Sequence, residues 1–422
     1  MRVIVIGAGV SGVLTAYRLT KAGCEVMVVD RAAGPAAETS FANGGVIGGT
    51  QIEPWASPGL QWKLLKWIGR EDAPLLVRWR ELPRMVGWGL AFLRNCTTAR
   101  FHRNLAASGR LTRHSLACFA RLRDEAGLDG SEYALIRRGA LKLYLSRETF
   151  DAAAAESETI AKLGFGVSPV DAAECVRREP GLGPAAHTIA GGVAYDDEEI
   201  GDCRAFTLAM AERARAGGAV FRFGTPVWGL RRSGDAVAAM VTRDAELTAD
   251  AYVLATASYS AGLLRGVGVS APVIPTKGLT ITVPAAPWPD AVRSAVMDHS
   301  RIFGLIRIGD NLRVSGSAEI TGHDTTPSDR RCDAILANVL ELFPDFRACL
   351  GNGQKRWAGN RGNTPDGPPI LGATPLRNLF LNIGHGPQGW STSAGAADIV
   401  ADIVLGRSPA IELDGLTLDR FA

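Results

Sequence analysis

The sequence predicts an α/β protein in which one nucleotide-binding sheet is assembled from separated stretches of chain, with a strand-rich second region between them. Three observations carry this. The chain opens on a short apolar run at residues 3–6, then Gly7, Gly9 and Gly12 in the spacing G-x-G-x-x-G, a dozen helix-forming residues and a second apolar run at 26–29. Strand and helix pieces of the same kind return in the middle, "GDCRAFTLAMAERARAGGAVFRF" and "AYVLATASYSAGLL", and at the end, "NLFLNIGHGPQGWSTSAGAADIVADIVLG". Between them, "LKLYL", "RIFGLIRI" and "NLRVSGS" read as strands.

In the opening unit each glycine has a task. Gly7 permits the tight turn, Gly9 lets the backbone approach a pyrophosphate, and Gly12 lets the helix pack on the strand. Free N–H groups at the helix start suit phosphates. Asp30 ends the second run, placed to bind ribose hydroxyls and to repel a 2′-phosphate. The bland alternative is an ordinary strand-to-helix turn. A loop of small residues follows, "ETSFANGGVIGG", then tryptophan-bearing segments. A long helix is expected over about 100–125, an alanine-rich one in "RETFDAAAAESETIAKLG", and another in "DAILANVLELFP". Nicotinamide dehydrogenases more commonly use a contiguous doubly wound domain, so the scattered layout favours a flavin.

Composition narrows the class. The chain has 422 residues, 46% hydrophobic and 21% charged, and its 46 basic and 43 acidic residues leave a net charge of +3. That length implies two or more domains. The charge balance argues against nucleic-acid binding. Seven cysteines are scattered with no C-x-x-C, and six histidines are equally dispersed, so neither a disulfide framework nor a metal site is expected. The setting expected is the reducing cytoplasm. No run reaches the roughly 18 apolar residues of a spanning helix. "LPRMVGWGLAFLRNC", with tryptophan and leucine interleaved with arginine, reads either as a partly buried helix or as a segment lying at a bilayer interface.

Several stretches together resemble the FAD-dependent D-amino-acid dehydrogenase family of D-amino-acid oxidase-like flavoproteins: "VIVIGAGVSGVLTAYRL", "ETSFANGG", "PWASPG", "FLRNCT", "DDEEIGDC", "FRFGTPV", "RWAGNRGNTPDGPPILGAT" and "NIGHGPQGW". They run in order from residue 3 to about 390. The resemblance implies a glutathione-reductase-type FAD-binding domain assembled from discontinuous segments (1–60, 191–275 and 350–422). It also implies an α+β substrate domain with a mainly antiparallel sheet (61–190 and 276–349).

The cofactor-binding residues so implied are Gly7, Gly9, Val10, Ser11, Gly12, Asp30 and Arg31, then Thr39, Ser40, Asn43, Gly44 and Gly45 of the small-residue loop. Val227 stands where the family holds the adenine through its backbone, unless it is an ordinary edge-strand valine. Ala255 and Thr256 stand at a turn returning to the cofactor, with Ala257 where relatives carry glycine. Gly386, Gln388, Gly389 and Trp390 belong to the C-terminal loop, whose helix start, capped by Ser391 or Thr392, would stabilise negative charge on a reduced flavin. Relatives usually carry Thr-Leu where this chain has Pro387 and Gln388.

Arg361 matches the family's grip on the substrate carboxylate, where Gly362 replaces a usual proline; the alternative is an arginine paired with Asp366. His385 faces the flavin or is a hydrogen-bonded structural residue, the two readings weighing equally. Lys277 falls at a family position near the flavin, against the plainer reading of a solvent-facing turn lysine. Tyr259 and Arg307 are lesser candidates.

The activity implied is oxidation of a D-amino acid to an imino acid by hydride transfer from the α-carbon to flavin N5. Water then yields the 2-oxo acid and ammonia, and electrons pass to a quinone or other carrier. The location implied is cytoplasmic, with peripheral contact at the inner membrane as an extension of it. Alternatives are oxidation of a cyclic or N-substituted amino acid of the hydroxyproline, proline or sarcosine type with oxygen as acceptor, a nicotinamide-dependent dehydrogenase, or a flavin-binding subunit that assembles or docks a partner enzyme.

Overall fold

Alternate residues of the opening strand, Arg2–Ile6, go to opposite cores, and this fixes the first layer. Val3 and Val5 pack with the helices on one face, while Ile4 and Ile6 join a separate cluster on the other. Burial on both faces is why the strand reads as an unbroken apolar run. The structure, a computed structural model, describes residues 1–71, 73, 75–351 and 353–422, with the side chains at 63, 65 and 66 left aside.

Among the described residues the first sheet has six strands in the spatial order Val220–Arg222, Glu25–Val29, Arg2–Ile6, Ala251–Leu254, Leu379–Ile383 and Ile370–Ala373. All pairings are parallel except the last. One face carries the helices Val10–Lys21, Thr98–Ala126, Cys203–Ala216 and Ser393–Val404. On the other lies a small antiparallel sheet spanning Val227–Ser233, Ala236–Thr242 and Glu246–Leu247. The opening helix buries Val13, Leu14, Ala16 and Leu19 completely or nearly so; truncating Leu14 to Ala would cost about 2–5 kcal/mol.

The second sheet has nine strands among the described residues. From one edge they run Lys355–Asn363, Ile274–Pro284, Asn311–Ile320, Phe303–Ile308, Ala295–Asp298, Ala140–Tyr144, Gly191–Tyr195 and Val167–Val170, with Leu75–Val77 beside Asn311–Ile320. Six of its pairings are antiparallel and two parallel. The helix Asp329–Leu342 covers part of one face through Cys332, Ile335, Leu336 and Val339. The expected fold class is met: a parallel-dominant sheet drawn from distant segments, joined to a mainly antiparallel one. The long helix begins and ends close to expectation, at Thr98–Ala126. Among the described residues, no helix is long and apolar enough to cross a membrane.

Candidate active site

A cavity of about 1310 Å³ is walled by both sheets. At the nucleotide end the glycine turn is sterically obligatory. Gly7 has φ +110, and a Cβ there would lie 2.5 Å from the carbonyl oxygen of Ala255. The backbone at Ala257 takes φ +46, the left-handed conformation that glycine would adopt at less cost. At the helix start Gly9 itself offers no side-chain cap and the first turn holds no acidic residue, so the amides beyond Val10 are left to an anion. Ser40 Oγ accepts from Val10 N at 3.1 Å, tying the small-residue loop to this turn. The Asp30 carboxylate is held by the amides of Ala8 (2.6 Å) and Ala32 (2.7 Å). Next to it, Arg31 bonds Glu38 at 2.7 Å and lies 3.8 Å over the Tyr259 ring.

Of the residues expected to hold a cofactor, Gly7, Gly9, Val10, Ser11, Asp30, Arg31, Thr39, Ser40, Asn43, Gly44, Gly45, Val227, Ala255, Thr256, Gly386, Gly389 and Trp390 line this cavity. Gly12 lies behind the lining, where a Cβ would meet the Gly7 carbonyl oxygen at 1.9 Å. Gln388 turns away from the main cavity to a small recess beside Asn363 and Pro387.

The floor at the substrate end is the second sheet, hollowed by Gly278, Gly304, Gly316 and Gly359. Arg361 sits in the strand Lys355–Asn363, opposite Thr276. Gly362, where relatives carry proline, lies in the same paired strand and packs its bare Cα against the backbone of residues 257–258. The guanidinium folds over Gly278, where a Cβ would lie 2.5 Å from both terminal nitrogens. Asp366, its alternative partner, is bound to Arg420 at 2.7 Å. Among the described residues no hydrogen bond or ion pair engages the Arg361 side chain, and burial lowers its pKa with nothing to oppose the shift. Such a guanidinium is poised for an anion from outside.

His385 also lines the cavity, with both ring nitrogens engaged: Nδ1 lies 2.9 Å from Thr392 Oγ1 and Nε2 2.7 Å from Asn382 Oδ1. Asn382 Nδ2 donates to Thr15 Oγ1, so its oxygen accepts from the imidazole N–H and Nδ1 is left as an acceptor. Burial depresses the His385 pKa to about 4. A neutral, doubly held ring fits the structural reading of this residue. Neither Ser391 nor Thr392 caps the terminal helix. Thr392 Oγ1 is spent on His385 and Gln388, and Ser391 Oγ accepts from Gly48 N.

Lys277 lies outside the cavity lining, against both expectations for it. It is buried, neither near the cavity nor solvent-facing, and paired with Glu319 and Asp324, each at 3.1 Å. Strand alternation is the cause: Lys277 and Gly278 are neighbours, so their side-chain directions oppose. Arg307 is likewise elsewhere, donating to the carbonyls of Pro289 and Gly309, whereas Tyr259 does line the cavity.

Two features had no signal in the sequence. Lys142 and Glu53 form a close ion pair in the cavity wall. Glu198, fully enclosed and pushed up to about 7 by burial, accepts from Thr50 N at 2.9 Å and so holds the loop that brings Thr50 to the cavity wall. Each pairs residues more than 80 positions apart.

A dinucleotide-sized cavity with a glycine turn and an uncapped helix at one end, and an unpaired cation at the other, defines a nucleotide-dependent oxidoreductase. FAD fits these residues: the helix start and Asp30 suit its pyrophosphate and ribose, and the glycine-hollowed floor suits its ring. Residues 2–403 match the family model "FAD dependent oxidoreductase", and the chain belongs to that family. Its relatives include the D-amino acid dehydrogenase of Paramagnetospirillum magneticum, 44% identical over 100% of this chain and 99% of that one, and that of Allorhizobium ampelinum, 40% identical with the same coverage. Among solved structures it is similar in fold to glycine oxidase from Geobacillus kaustophilus (TM-score 0.76, 23% identity, 99% and 98% of the two chains covered). It is also similar to L-proline dehydrogenase from P. horikoshii (TM-score 0.77, 17% identity, 100% and 97%).

Proposed function

We propose that this FAD-dependent oxidoreductase oxidises a D-amino acid to the imino acid, which water converts to a 2-oxo acid and ammonia, and that the electrons pass to a quinone or other carrier. The observation that carries the reading is the unpaired guanidinium of Arg361 lying over Gly278 inside the cavity. The full-length relatives named D-amino acid dehydrogenase support the substrate class. In this reading Arg361 takes the substrate carboxylate in a bidentate pair. That fixes the α-carbon at one distance and angle, an orientation worth a large part of the barrier. Bound FAD supplies the acceptor for the α-hydride. The glycine turn, Asp30 and the small-residue loop would hold its nucleotide end, and the loop at residues 384–390 would face its ring. His385 acts as a positioning residue, locking that loop to Asn382 and Thr392 without giving or taking a proton. Lys277 takes no part at the reacting centre.

The chain would work in the cytoplasm with a peripheral contact at the inner membrane, where a quinone is available. Anaerobic mixing of the yellow holoenzyme with a panel of D- and L-amino acids, glycine, proline and sarcosine tests the substrate class. Bleaching by D-amino acids ahead of all others is expected; bleaching only by proline, sarcosine or L-amino acids would overturn it.

A further inference from the structure

The helices Thr98–Ala126 and Ser393–Val404 meet in close contact at Gly395 and Ser115. A Cβ on Gly395 would lie 2.8 Å from the Ser115 Cα, and Gly395 N donates to Ser115 Oγ at 3.0 Å. This approach, which a bare Cα permits, brings Asp398, about one turn further along its helix, against His114 and Cys118 of "HSLAC". Those two are four residues apart and share one face of the long helix. The three side chains converge through one atom each. His114 Nε2 lies 3.4 Å from Cys118 Sγ and 3.2 Å from Asp398 Oδ2, and Sγ lies 3.6 Å from that same Oδ2.

These three lengths are the edges of one tetrahedral face. With Zn–N and Zn–O of about 2.0 Å and Zn–S of about 2.3 Å, a tetrahedral ion sets its N–O edge at about 3.3 Å and its edges to sulfur at about 3.5 Å. Ion pairing accounts for the imidazole and the carboxylate but not for the thiol, because a single Nε2–H cannot align on Sγ and Oδ2 together. The neighbouring charges leave room for a cation. Arg18 approaches the other carboxylate oxygen, Oδ1, at 3.5 Å and is itself bonded to Glu125 at 2.8 Å. Arg121 Nη2 stands 3.1 Å from Sγ and 3.3 Å from Oδ2, on a side chain 55% exposed that is free to swing into solvent. Cys118 is buried, whereas Asp398 is 20% exposed and gives an ion its way in.

We infer that His114, Cys118 and Asp398 form a zinc site, completed by a water at the fourth corner, that clips the helix following the loop at residues 384–390 to the long helix. Nitrogen, thiolate and carboxylate at tetrahedral spacing select Zn²⁺ over Mg²⁺ and Ca²⁺. On binding, Zn²⁺ takes the place of the thiol proton and the Nε2 proton, which pass to solvent. The inference is independent of the substrate and acceptor assigned above. Along the chain these residues show no ligand spacing; the helix crossing alone assembles them.

The test is a Zn²⁺ titration of the holoenzyme, kept reduced and stripped with a chelator, against a chromophoric competitor. The wild type should take one equivalent, and Cys118→Ser and Asp398→Asn should each bind at least 100-fold more weakly. Arg121→Gln should bind as tightly or more tightly, since it loses only a competing cation. Co²⁺ in place of Zn²⁺ should give the wild type the intense visible bands of a tetrahedral thiolate site, at longer wavelength than oxidised flavin absorbs, a readout that needs no variant to fold. Zn²⁺ should raise the melting temperature of the wild type and leave that of Cys118→Ser unmoved. No stoichiometric uptake, equal affinity in the ligand variants, or a Co²⁺ spectrum lacking those bands would overturn the site. Tight binding with an unmoved melting temperature would overturn the clip.

Discussion

The two faces of the antiparallel sheet beside residue 278 treat positive charge in opposite ways. On the far face, Lys277 and Arg331 are buried together with Glu319, which takes Lys277 at 3.1 Å and Arg331 at 2.9 Å, and Asp324 and the Thr326 carbonyl take the lysine's other two bonds. On the cavity face, one residue away, Arg361 has no counter-charge among the described residues. The far face balances its charges internally because nothing else arrives to balance them. The near face leaves one guanidinium open, and its desolvation is offset only when an anion binds. Charge completed by the fold holds the fold together, and charge left open marks where a ligand enters.

The largest effect expected of this contrast is on the far face. Glu319→Met leaves two buried cations short of a partner and should destabilise the protein by about 3–5 kcal/mol, read by denaturant titration, while kcat/KM of the folded fraction holds. On the near face the outcome reverses. Arg361→Met should keep its FAD and its melting temperature but lose about 2–5 kcal/mol of transition-state stabilisation, seen as a fall in kcat/KM. If both variants lose stability and neither loses activity selectively, the contrast is false.

The imidazole of His385 gives a pH signature. Its folded pKa of about 4 lies below the unfolded value near 6.5. Its contribution is therefore complete above pH 6.5 and lost as the pH falls through 4, on the order of 3 kcal/mol in all. A His385→Gln variant should flatten that limb of the stability curve, measured by melting between pH 7 and 4. The smallest effect expected is from Gly278→Ala. The methyl displaces the guanidinium, so KM should rise about 5- to 100-fold, equivalent to about 1–3 kcal/mol, with FAD content unchanged. An unaltered KM would mean that the position of Arg361 over Gly278 is immaterial.

The nucleotide end was legible in the sequence because backbone does its work. A turn that admits only glycine, an uncapped helix and a carboxylate at a fixed remove are local patterns, and Gly7, Gly9 and Asp30 all reach the cavity. The substrate end was legible only by resemblance. Arg361 was found that way, but nothing local showed that its strand lies opposite Thr276 or that Arg420 satisfies Asp366. Lys277 shows the cost of that gap: position along the chain placed it near the flavin, and the period of two in a strand turned it to the other side. Glu53 with Lys142, and Thr50 with Glu198, meet across long separations that no spacing rule reaches.

The central claim is that Arg361 is an open site for a carboxylate. Titrating the oxidised holoenzyme and its Arg361→Met form with a non-oxidisable aromatic carboxylate, and following the flavin absorption band, tests it most directly. The account predicts a saturable spectral shift in the wild type and none in the variant at concentrations up to 30-fold higher, with equal FAD content. Equal shifts with equal dissociation constants in the two proteins would contradict it.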